Sequence, residues 1–335
     1  MPMFWIDPSF EKGLVSFIIP CHNQARYLRA CFDSVANQKY RPIEIIVVDD
    51  GSTDRTRSVI EEFQNGKSED ISVKCIFQTR QGAPHARNQG CVHSRGEFIQ
   101  FLDGDDVLCP GKLSGQITML NNNKLIDVIY GDGQYLIDDL GGTAKLGRVI
   151  SRGSVPDIIE SILSGAWVPI FAYLSRRSAI QRCGPWDNTI QISQDYEYFL
   201  RMALSKCKYF YYAGITGYYR KYSFNTISEQ SLLLRVKTTE EILAKAERVL
   251  RDQEEFNEKR IRATADNYRR LARWAYPADI DSFNRCLDQV LRLSPQYRPE
   301  KPNARLISSI FGFRNYEKFA TVIRRVNYSK NNDWY

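Results

Sequence analysis

Several features that would assign this chain to a familiar class are absent from its 335 residues. No run of eighteen apolar residues occurs, so the sequence contains no candidate transmembrane helix. The first residues, Met1 to Asp7, lack the basic flank and the long apolar core of a secretory signal, and we therefore expect the protein in the cytoplasm. None of the eight cysteines forms a C-x-x-C pair, which argues against a structural zinc site and predicts reduced, mostly buried thiols.

The composition is that of a soluble globular protein. Hydrophobic residues make up 43% and charged residues 25% of the chain, and its length suits one large domain with a smaller one. The net charge of +7 is unevenly distributed: residues 1–230 hold 25 basic and 25 acidic side chains, whereas residues 231–335 hold 21 and 14. This excess of positive charge predicts a separate, anionic partner for the C-terminal region.

The first hundred residues alternate short apolar runs with helical patterns. The apolar runs, which we predict to be strands, are 15–19, 43–48, 73–77 and 97–102. Near-continuous apolar strands separated by helices predict an α/β fold with a mostly parallel, Rossmann-like sheet covered on both faces. Ligands of such sheets bind beyond the carboxyl ends of the strands.

The later part of the chain is organised differently. A strand is predicted at 126–130 and a hairpin turn near 138–142. From about Leu232 onward the sequence becomes charged and helical, with prolines between the later helices. We therefore place a domain boundary near residue 230.

Three carboxylates occupy four consecutive positions after the apolar run that ends at Leu102. In an extended segment, side chains alternate between faces, so Asp103 and Asp105 are expected to point the same way, while Gly104 leaves room for a ligand to approach the backbone. Carboxylate oxygens are hard donors suited to Mg²⁺ or Mn²⁺, which usually bind together with substrate phosphates. The alternative interpretation is an acidic turn after a buried strand.

Polar residues also follow the first two predicted strands. They are Pro20-Cys21-His22-Asn23 and Asp49-Asp50-Gly51-Ser52-Thr53-Asp54. A carboxylate can accept the N3–H of uracil, an imidazole can stack on a base, and a pair of carboxylates can hold a metal and a diphosphate. Together with the acidic segment, these residues predict a nucleotide pocket at one edge of the sheet.

In order and spacing, these motifs resemble those of family 2 glycosyltransferases of the GT-A fold. The segments that carry the resemblance are 15–23, 47–54, 82–90 and 101–106, and it extends more loosely to about residue 230. It implies a glycosyltransferase domain over residues 1–230, with a nucleotide-sugar half at about 13–106 and an acceptor half at about 107–230. Residues 231–335 form a basic helical region outside the resemblance.

The resemblance also implies roles for the residues at the strand ends. Asp50 would recognise the base, with Asp49 as an alternative, and His22 takes the position where many members present an aromatic ring that stacks on it. Asp103 and Asp105 would hold the ribose and a metal ion, Mn²⁺ or Mg²⁺. The implied nucleotide-binding residues are Pro20, His22, Asn23, Asp49, Asp50 and Asp103.

A second segment, with Cys183 to Asp187 followed by Gln194 to Arg201, resembles the acceptor side of the same family. Asp195 falls at the position of the general base, which takes the proton from the acceptor hydroxyl. The charged form of a carboxylate at a helix start is normally favoured, so we expect Asp195 to be ionised. The alternative is that Asp195 is simply a helix cap.

Four further residues bear on the acceptor side and on the metal. Gln194 stands where many relatives carry Glu. Trp186 is a candidate for stacking on a sugar ring, although such residues are more often core. Arg220 either contacts phosphate or is a surface arginine. Tyr222 stands where a histidine is often found, which places a third protein ligand for the metal in doubt.

The function that the resemblance implies is inverting transfer of a sugar from a nucleotide-sugar donor, with UDP as the expected carrier, to a hydroxyl of a saccharide or lipid-linked acceptor. Such an enzyme would serve polysaccharide biosynthesis at the cell envelope. Two alternatives remain. One is a nucleotide-binding scaffold without turnover, an interpretation that Gln194 and Tyr222 keep open. The other is an aspartate-nucleophile phosphatase. The acidic motif of that class is expected on the first strand of its domain, whereas here it follows several strands. Nucleic acid is not an expected partner, because no recognition motif accompanies the charge.

Residues 301–330 combine basic and apolar side chains in an amphipathic pattern. Helices of this kind can lie in the headgroup region of an anionic membrane, which predicts a peripheral location at the inner face of the plasma membrane. The alternative is that the apolar face packs on the catalytic domain while the charges are solvated.

Overall fold

The computed structural model describes residues 5–66, 70–138, 144–222, 232–299 and 302–329, without the side chains of Tyr222 and residues 325–329. The strands within these ranges are β1 (Glu11–Cys21), β2 (Ile43–Asp50), β3 (Ile71–Gln78), β4 (Gly96–Phe101), β5 (Val107–Leu108), β6 (Val128–Asp138), β7 (Ala144–Ile150), β8 (Tyr173–Arg176) and β9 (Tyr209–Tyr222). The helices are α1 (Ala25–Ala36), α2 (Thr56–Gly66), α3 (Ala83–Val92), α4 (Lys112–Asn122), α5 (Ile158–Leu163), α6 (Arg177–Cys183), α7 (Gln194–Leu204), α8 (Leu232–Asp252), α9 (Glu258–Ala275), α10 (Ile280–Leu293), α11 (Pro302–Phe311) and α12 (Phe313–Ser329).

The strands of these described ranges form one sheet, in the order β3-β2-β1-β4-β8-β6-β9-β5, with β7 paired to β6. Strands β1 to β4 are parallel to one another, whereas β8 runs antiparallel to both β4 and β6. The α/β class and the parallel sheet that the sequence predicts are confirmed. A C-terminal helical region, α8 to α12, follows the sheet in the sequence.

Burial explains why the N-terminal strands and helices form where they do. Every residue of β2 is buried, as expected for a strand covered by helices on both faces. Helix α1 turns its apolar residues inward at helical spacing, and Phe32 stacks on Phe63 of α2 with ring centroids 4.4 Å apart. Gly90 lets α3 lie directly against β1, because a Cβ at this position would be only 2.4 Å from the Ile18 side chain.

The hairpin predicted near residues 138–142 is present as a strand pair. Strands β6 and β7 are antiparallel, with Asp138 opposite Ala144. Residues 139–143 of the turn itself lie outside the described residues. The strand predicted at 126–130 forms the beginning of β6.

The chain divides into two compact units. The first comprises residues 1–158 and 166–226, and the second comprises 159–165 and 227–335. In the second unit, the segment 159–165 is held by α9, since Asn267 donates to the carbonyl oxygen of Leu163 at 2.7 Å and Arg270 donates to that of Gly165 at 3.0 Å. Among the described helices, none is long and apolar enough to cross a bilayer.

Candidate active site

The carboxyl ends of β1, β2 and β4 lie side by side at one edge of the sheet. Strand β1 is the middle one of the three, with Cys21 opposite Asp49 of β2, and β4 pairs with its other side. The residues that follow these strands are therefore neighbours, and His22 Nδ1 lies 2.9 Å from the carbonyl oxygen of Asp50. Pro20 is buried within β1. The structure thus brings the first two predicted strand-end motifs together.

Asn23 ties the end of β1 to the loop after β2. Its backbone N–H donates to Ser52 Oγ at 2.9 Å, and its side-chain oxygen accepts from the N–H groups of Thr53 and Asp54 at 2.8 and 3.3 Å. The backbone of Asn23 is left-handed, with φ of 53°, a conformation that asparagine adopts more readily than most residues. The Asn23 amide therefore organises this loop, and its contact with a nucleotide stays a prediction.

Asp50 is the more heavily bonded of the two carboxylates at the end of β2. Its Oδ1 accepts from Gln78 Nε2 at 2.6 Å and from the N–H of Gln81 at 2.7 Å, and its Oδ2 accepts from the N–H of Gly82 at 2.7 Å. Asp49 accepts one backbone N–H, at 3.0 Å. A carboxylate oxygen has two acceptor positions, so Asp50 Oδ2 retains one for a ligand. Both carboxylates remain candidates for recognising the base.

The acidic segment after β4 is a turn, and the extended conformation expected from the sequence is wrong. The N–H of Asp106 donates to the carbonyl oxygen of Asp103 at 3.1 Å, which closes the turn. Asp103 and Asp105 are half-buried, and Asp106 is buried. The expectation that Asp103 and Asp105 point the same way therefore fails, because side chains alternate between faces only along an extended backbone.

Gly104 is required for a reason other than the expected approach of a ligand. A Cβ at this position would lie 2.3 Å from Gln24 Oε1 and 3.1 Å from Leu28 Cδ1. The space that the glycine leaves is therefore occupied by α1 and the residue before it. Gly104 allows the acidic turn to lie against this helix.

Arg220 of β9 holds the acidic turn in place. Its backbone N–H donates to Asp106 Oδ1 at 2.9 Å, and its Nε donates to the carbonyl oxygen of Asp105 at 2.9 Å. Its guanidinium also lies 3.5 Å from Asp138 Oδ2 and is 9% exposed. The interpretation of Arg220 as a surface arginine is wrong. The contacts seen are with the acidic turn rather than with a site for an acceptor.

The acidic turn has a donor set that fits a divalent cation. Asp106 Oδ2 is buried and has no hydrogen-bond partner within the described residues. In the same part of the chain, no group of three or more His, Cys, Asp or Glu side chains is arranged to hold a metal. Magnesium and manganese ions commonly use one or two carboxylates plus substrate phosphates, so a site completed by the nucleotide suits these residues. The side chain of Tyr222 lies outside the described residues.

Asp195 is the second residue of α7, and Ser193 rather than Asp195 occupies the N-cap position. Asp195 Oδ1 accepts from the N–H of Tyr196 at 2.9 Å, and Asp195 Oδ2 accepts from the indole N–H of Trp167. Asp195 therefore does not occupy the N-cap, although it accepts from a backbone N–H of the first turn. Its other carboxylate oxygen is oriented by Trp167, an aromatic donor from another part of the chain.

Burial raises the pKa of Asp195 above its ordinary value. The hydrogen bonds from Trp167 and Tyr196 and the positive charge of Arg87 oppose this rise, whereas the negative charge of Asp103 adds to it. This upward shift of the pKa is opposite to the shift expected from the helix start alone, because desolvation outweighs the helix dipole here. A raised pKa makes the carboxylate a stronger base.

Arg87 of α3 joins the acidic turn to the segment that carries Asp195. Its Nη2 donates to Asp103 Oδ1 at 2.6 Å, and its Nη1 donates to Gln194 Oε1 at 2.9 Å. Its side chain is 6% exposed. The sequence context of Arg87 did not indicate a role for it. The signal that could have identified it is its place on the inward face of α3, at helical spacing from Pro84 and Gly90.

Trp186 belongs to the core, and its predicted stacking on a sugar ring is wrong. The ring is 2% exposed and stacks on Tyr198 with centroids 3.8 Å apart, and the Arg87 guanidinium lies over it at 4.6 Å. Asn88 accepts from the N–H of Trp186 at 2.8 Å and donates to its carbonyl oxygen at 2.9 Å. The indole is thus covered by protein, and it supports the site through Arg87.

Two aromatic residues lie beside the candidate base. The rings of Trp167 and Tyr219 meet edge to face with centroids 5.3 Å apart. Burial raises the pKa of Tyr219 well above its usual range, and nearby negative charges add to this effect. These charges are those of Asp106, Asp105, Asp195 and Asp103. Tyr219 therefore lies near both the acidic turn and the base, a position that its sequence context did not indicate.

Comparison with known sequences finds a family match in the N-terminal region. Residues 16–142 match the model of glycosyl transferase family 2. An uncharacterized glycosyltransferase from Nostoc sp. is 33% identical over 177 residues, which cover 52% of this chain and 54% of that protein. An uncharacterized glycosyltransferase from Haemophilus influenzae is 34% identical over 169 residues, with coverage of 50% and 64%. The chain thus spans 54% and 64% of the length of these two relatives.

Comparison with solved structures gives the fold. The S. aureus TarS 1–349 structure in complex with UDP-GlcNAc superposes with a TM-score of 0.55 at 18% identity, covering 85% of this chain and 93% of that one. The mannosyltransferase PcManGT from Pyrobaculum calidifontis, in complex with GDP-Man and Mn²⁺, superposes with a TM-score of 0.53 at 16% identity, covering 96% and 89%. At these identities the likeness concerns the fold, which is GT-A as the sequence predicts.

Proposed function

We propose that this protein is an inverting glycosyltransferase, because residues 16–142 match the model of glycosyl transferase family 2. It transfers a sugar from a nucleotide-sugar donor to a hydroxyl of a saccharide or lipid-linked acceptor. The nucleotide binds at the ends of β1, β2 and β4, and Asp195 acts as the general base. Solved structures of similar fold were obtained with UDP-GlcNAc and with GDP-Man, which supports a nucleotide-sugar donor.

The contacts of Arg87 are the observation that carries this proposal. A transferase must present the donor's diphosphate and the acceptor's hydroxyl within reach of each other. In this protein, one buried guanidinium bonds both to Asp103, in the acidic turn, and to Gln194, the residue before the candidate base. The donor-side and acceptor-side segments are therefore joined by a single side chain.

The proposed reaction is one displacement at the anomeric carbon. Asp195 accepts the proton of the acceptor hydroxyl while the acceptor oxygen forms a bond to the anomeric carbon. The bond between this carbon and the diphosphate oxygen breaks, and its electron pair leaves with the nucleoside diphosphate. Because the acceptor attacks from the face opposite the leaving group, the anomeric configuration inverts and no covalent enzyme intermediate is needed.

The base is positioned by its two hydrogen bonds. The Trp167 indole fixes one carboxylate oxygen and the N–H of Tyr196 fixes the other. These bonds orient the carboxylate before the acceptor binds, and orientation of this kind lowers the barrier by avoiding reorganisation during the reaction.

We also propose that Asp103 and Asp105 hold Mn²⁺ or Mg²⁺ together with the donor's diphosphate. When bound, such an ion neutralises negative charge that develops on the leaving diphosphate. The protein's own contribution is to fix the acidic turn, through the bonds of Arg220 to Asp105 and Asp106 and through the close approach of Gly104 to α1.

We further propose a nucleotide for the donor, a location for the protein and a pathway that it serves. UDP is the proposed carrier, with Asp50 or Asp49 accepting the N3–H of uracil and His22 beside the base. We place the protein in the cytoplasm, peripheral to the plasma membrane. There it would serve biosynthesis of a cell-envelope polysaccharide.

A donor panel tests the reaction. The full chain is incubated with Mn²⁺ and a set of UDP- and GDP-sugars, and the released nucleoside diphosphate is measured with and without saccharide acceptors. We expect turnover with one class of donor and its near loss in Asp195→Asn. The matched control is Asp33→Asn, since Asp33 lies on α1 and, among the described residues, pairs with Arg29 at the surface; this variant should retain wild-type turnover.

Two results would contradict the proposal. If nucleotide binds tightly but no donor turns over on any acceptor, the protein is a binding scaffold. If turnover occurs and Asp195→Asn retains it, another group is the base. In both cases the variants must keep the wild-type thermal unfolding temperature, which shows that folding is unaffected.

A further inference from the structure

Helices α11 and α12 carry large apolar side chains that the other described residues of the second unit do not cover. Helix α11 has no buried residue. The exposed apolar residues of the two helices are Leu306, Ile310, Phe311, Phe319, Val322 and Ile323, each more than 40% exposed. So many exposed apolar residues in two consecutive helices are unusual unless the helices bind something.

Helix α12 has two distinct faces. Tyr316, Glu317 and Thr321 are buried against the rest of the second unit, whereas Phe319 and Ile323, four residues apart, face outward. The buried face therefore already has its partner. The apolar side chains on the outward face are therefore exposed although the helix itself is packed against its unit.

The charges that these helices expose are positive. Glu317 is the only acidic residue between 302 and 329, and it is 0% exposed because it accepts from Arg269 at 2.7 Å and from Arg273 at 2.6 Å. Arg314 pairs with Asp288 of α10. In the described part of the chain, no ion pair is recorded for the other basic side chains, which are Arg305, Lys318 and Arg324.

We propose that α11 and α12 dock this protein on an anionic lipid surface, with the apolar residues in the headgroup region and the basic residues against the lipid phosphates. Interfacial helices bind in this way, through an apolar face together with electrostatic attraction. A second copy of this chain is a poorer occupant of the same face, because each copy would bring the same positive charges to the interface.

This inference does not depend on the proposed reaction. Lipid binding is measured without a donor or an acceptor, so a failure of the transferase assay would leave it intact. If the proposed acceptor is lipid-linked, docking would also raise the local concentration of acceptor around the protein.

Vesicle sedimentation tests the inference. The full chain is mixed with vesicles of phosphatidylcholine alone or with about 30% phosphatidylglycerol, at low salt and at about 0.5 M salt. We expect binding only to the anionic vesicles and weaker binding at high salt. Replacing Lys318 and Arg324 by glutamine should lower the partition coefficient about fivefold per charge, and Phe319→Ser with Ile323→Ser should lower it further.

The matched controls are Leu125→Ser, an apolar side chain 68% exposed in the first unit, and Lys74→Gln on β3; both should bind vesicles like the wild type. Absence of binding to anionic vesicles overturns the proposal. So does equal binding by the α12 variants and the wild type. Light scattering supplies the third contradictory result. If the wild type is a dimer, the double variant Phe319→Ser with Ile323→Ser is a monomer, and neither binds vesicles, then this face is an interface between copies of the chain.

Discussion

The hydrogen bond from Trp167 to Asp195 offers the sharpest test of the proposed base. Trp167→Phe keeps an aromatic ring beside Tyr219 but removes the indole N–H that donates to Asp195 Oδ2. That hydrogen bond lowers the pKa of Asp195 against the effect of burial. Without it, the pKa of Asp195 rises further, so the base remains protonated up to a higher pH.

The size of the effect follows from the strength of such bonds. A hydrogen bond to a charged group contributes about 1.5–3 kcal/mol, which corresponds to roughly a 10- to 150-fold change in rate. We expect a loss of this order in kcat/KM on the acidic side, where the wild-type base is ionised and the variant base is protonated. The loss should shrink as pH rises, because both carboxylates are then ionised.

The assay is the pH profile of kcat/KM for nucleoside diphosphate release, recorded for the wild type and the variant. Trp5→Phe is a matched control, since the Trp5 indole N–H has no hydrogen-bond partner in the described part of the chain; its profile should coincide with that of the wild type. Other groups that act on Asp195, namely Arg87, Asp103 and Tyr196, are unchanged in both variants. The reasoning would be refuted if the acidic limb of the variant's profile moved to lower pH. It would also be refuted if the loss of kcat/KM were the same at every pH.

Three further predictions concern the residues that hold the site and the C-terminal helices. Arg87→Lys should lower kcat/KM about tenfold or more in steady-state assays. An ammonium group cannot reproduce the guanidinium fork that donates to both Asp103 and Gln194. Wild-type activity of this variant would contradict the prediction. Arg220→Lys should raise the Mn²⁺ concentration for half-maximal turnover about tenfold, as loss of a supporting contact to a metal site commonly does, and an unchanged metal titration would count against its role. Glu317→Gln should lower the free energy of unfolding of the C-terminal helices by about 3 kcal/mol in urea denaturation, because it leaves two largely buried arginines without their carboxylate.

The sequence determined the N-terminal half of the fold because its signals there are local. Apolar runs separated by helical patterns require a parallel sheet, and the carboxyl ends of parallel neighbours meet at one edge whatever the details of packing. The sequence alone therefore places His22, Asp49 and Asp50 together. The turn at Asp103 could not be distinguished from an extended segment, because three carboxylates after a strand suit both.

The acceptor side depended on tertiary contacts. Whether Trp186 lies in the core or faces a ligand depends on which rings pack against it, and these come from other elements of the fold. Arg220 raises the same difficulty, since its partners lie more than eighty positions away in the sequence.

By itself, the sequence determined the fold class, the strand-end motifs and the charge of the C-terminal region, because periodicity and composition act over a few residues. Only the tertiary structure decided that Arg87 links Asp103 to Gln194, that Trp167 bonds Asp195, and that burial raises the pKa of that carboxyl. The physical reason is that hydrogen bonds and desolvation depend on which groups meet in space, and these groups lie far apart along the chain.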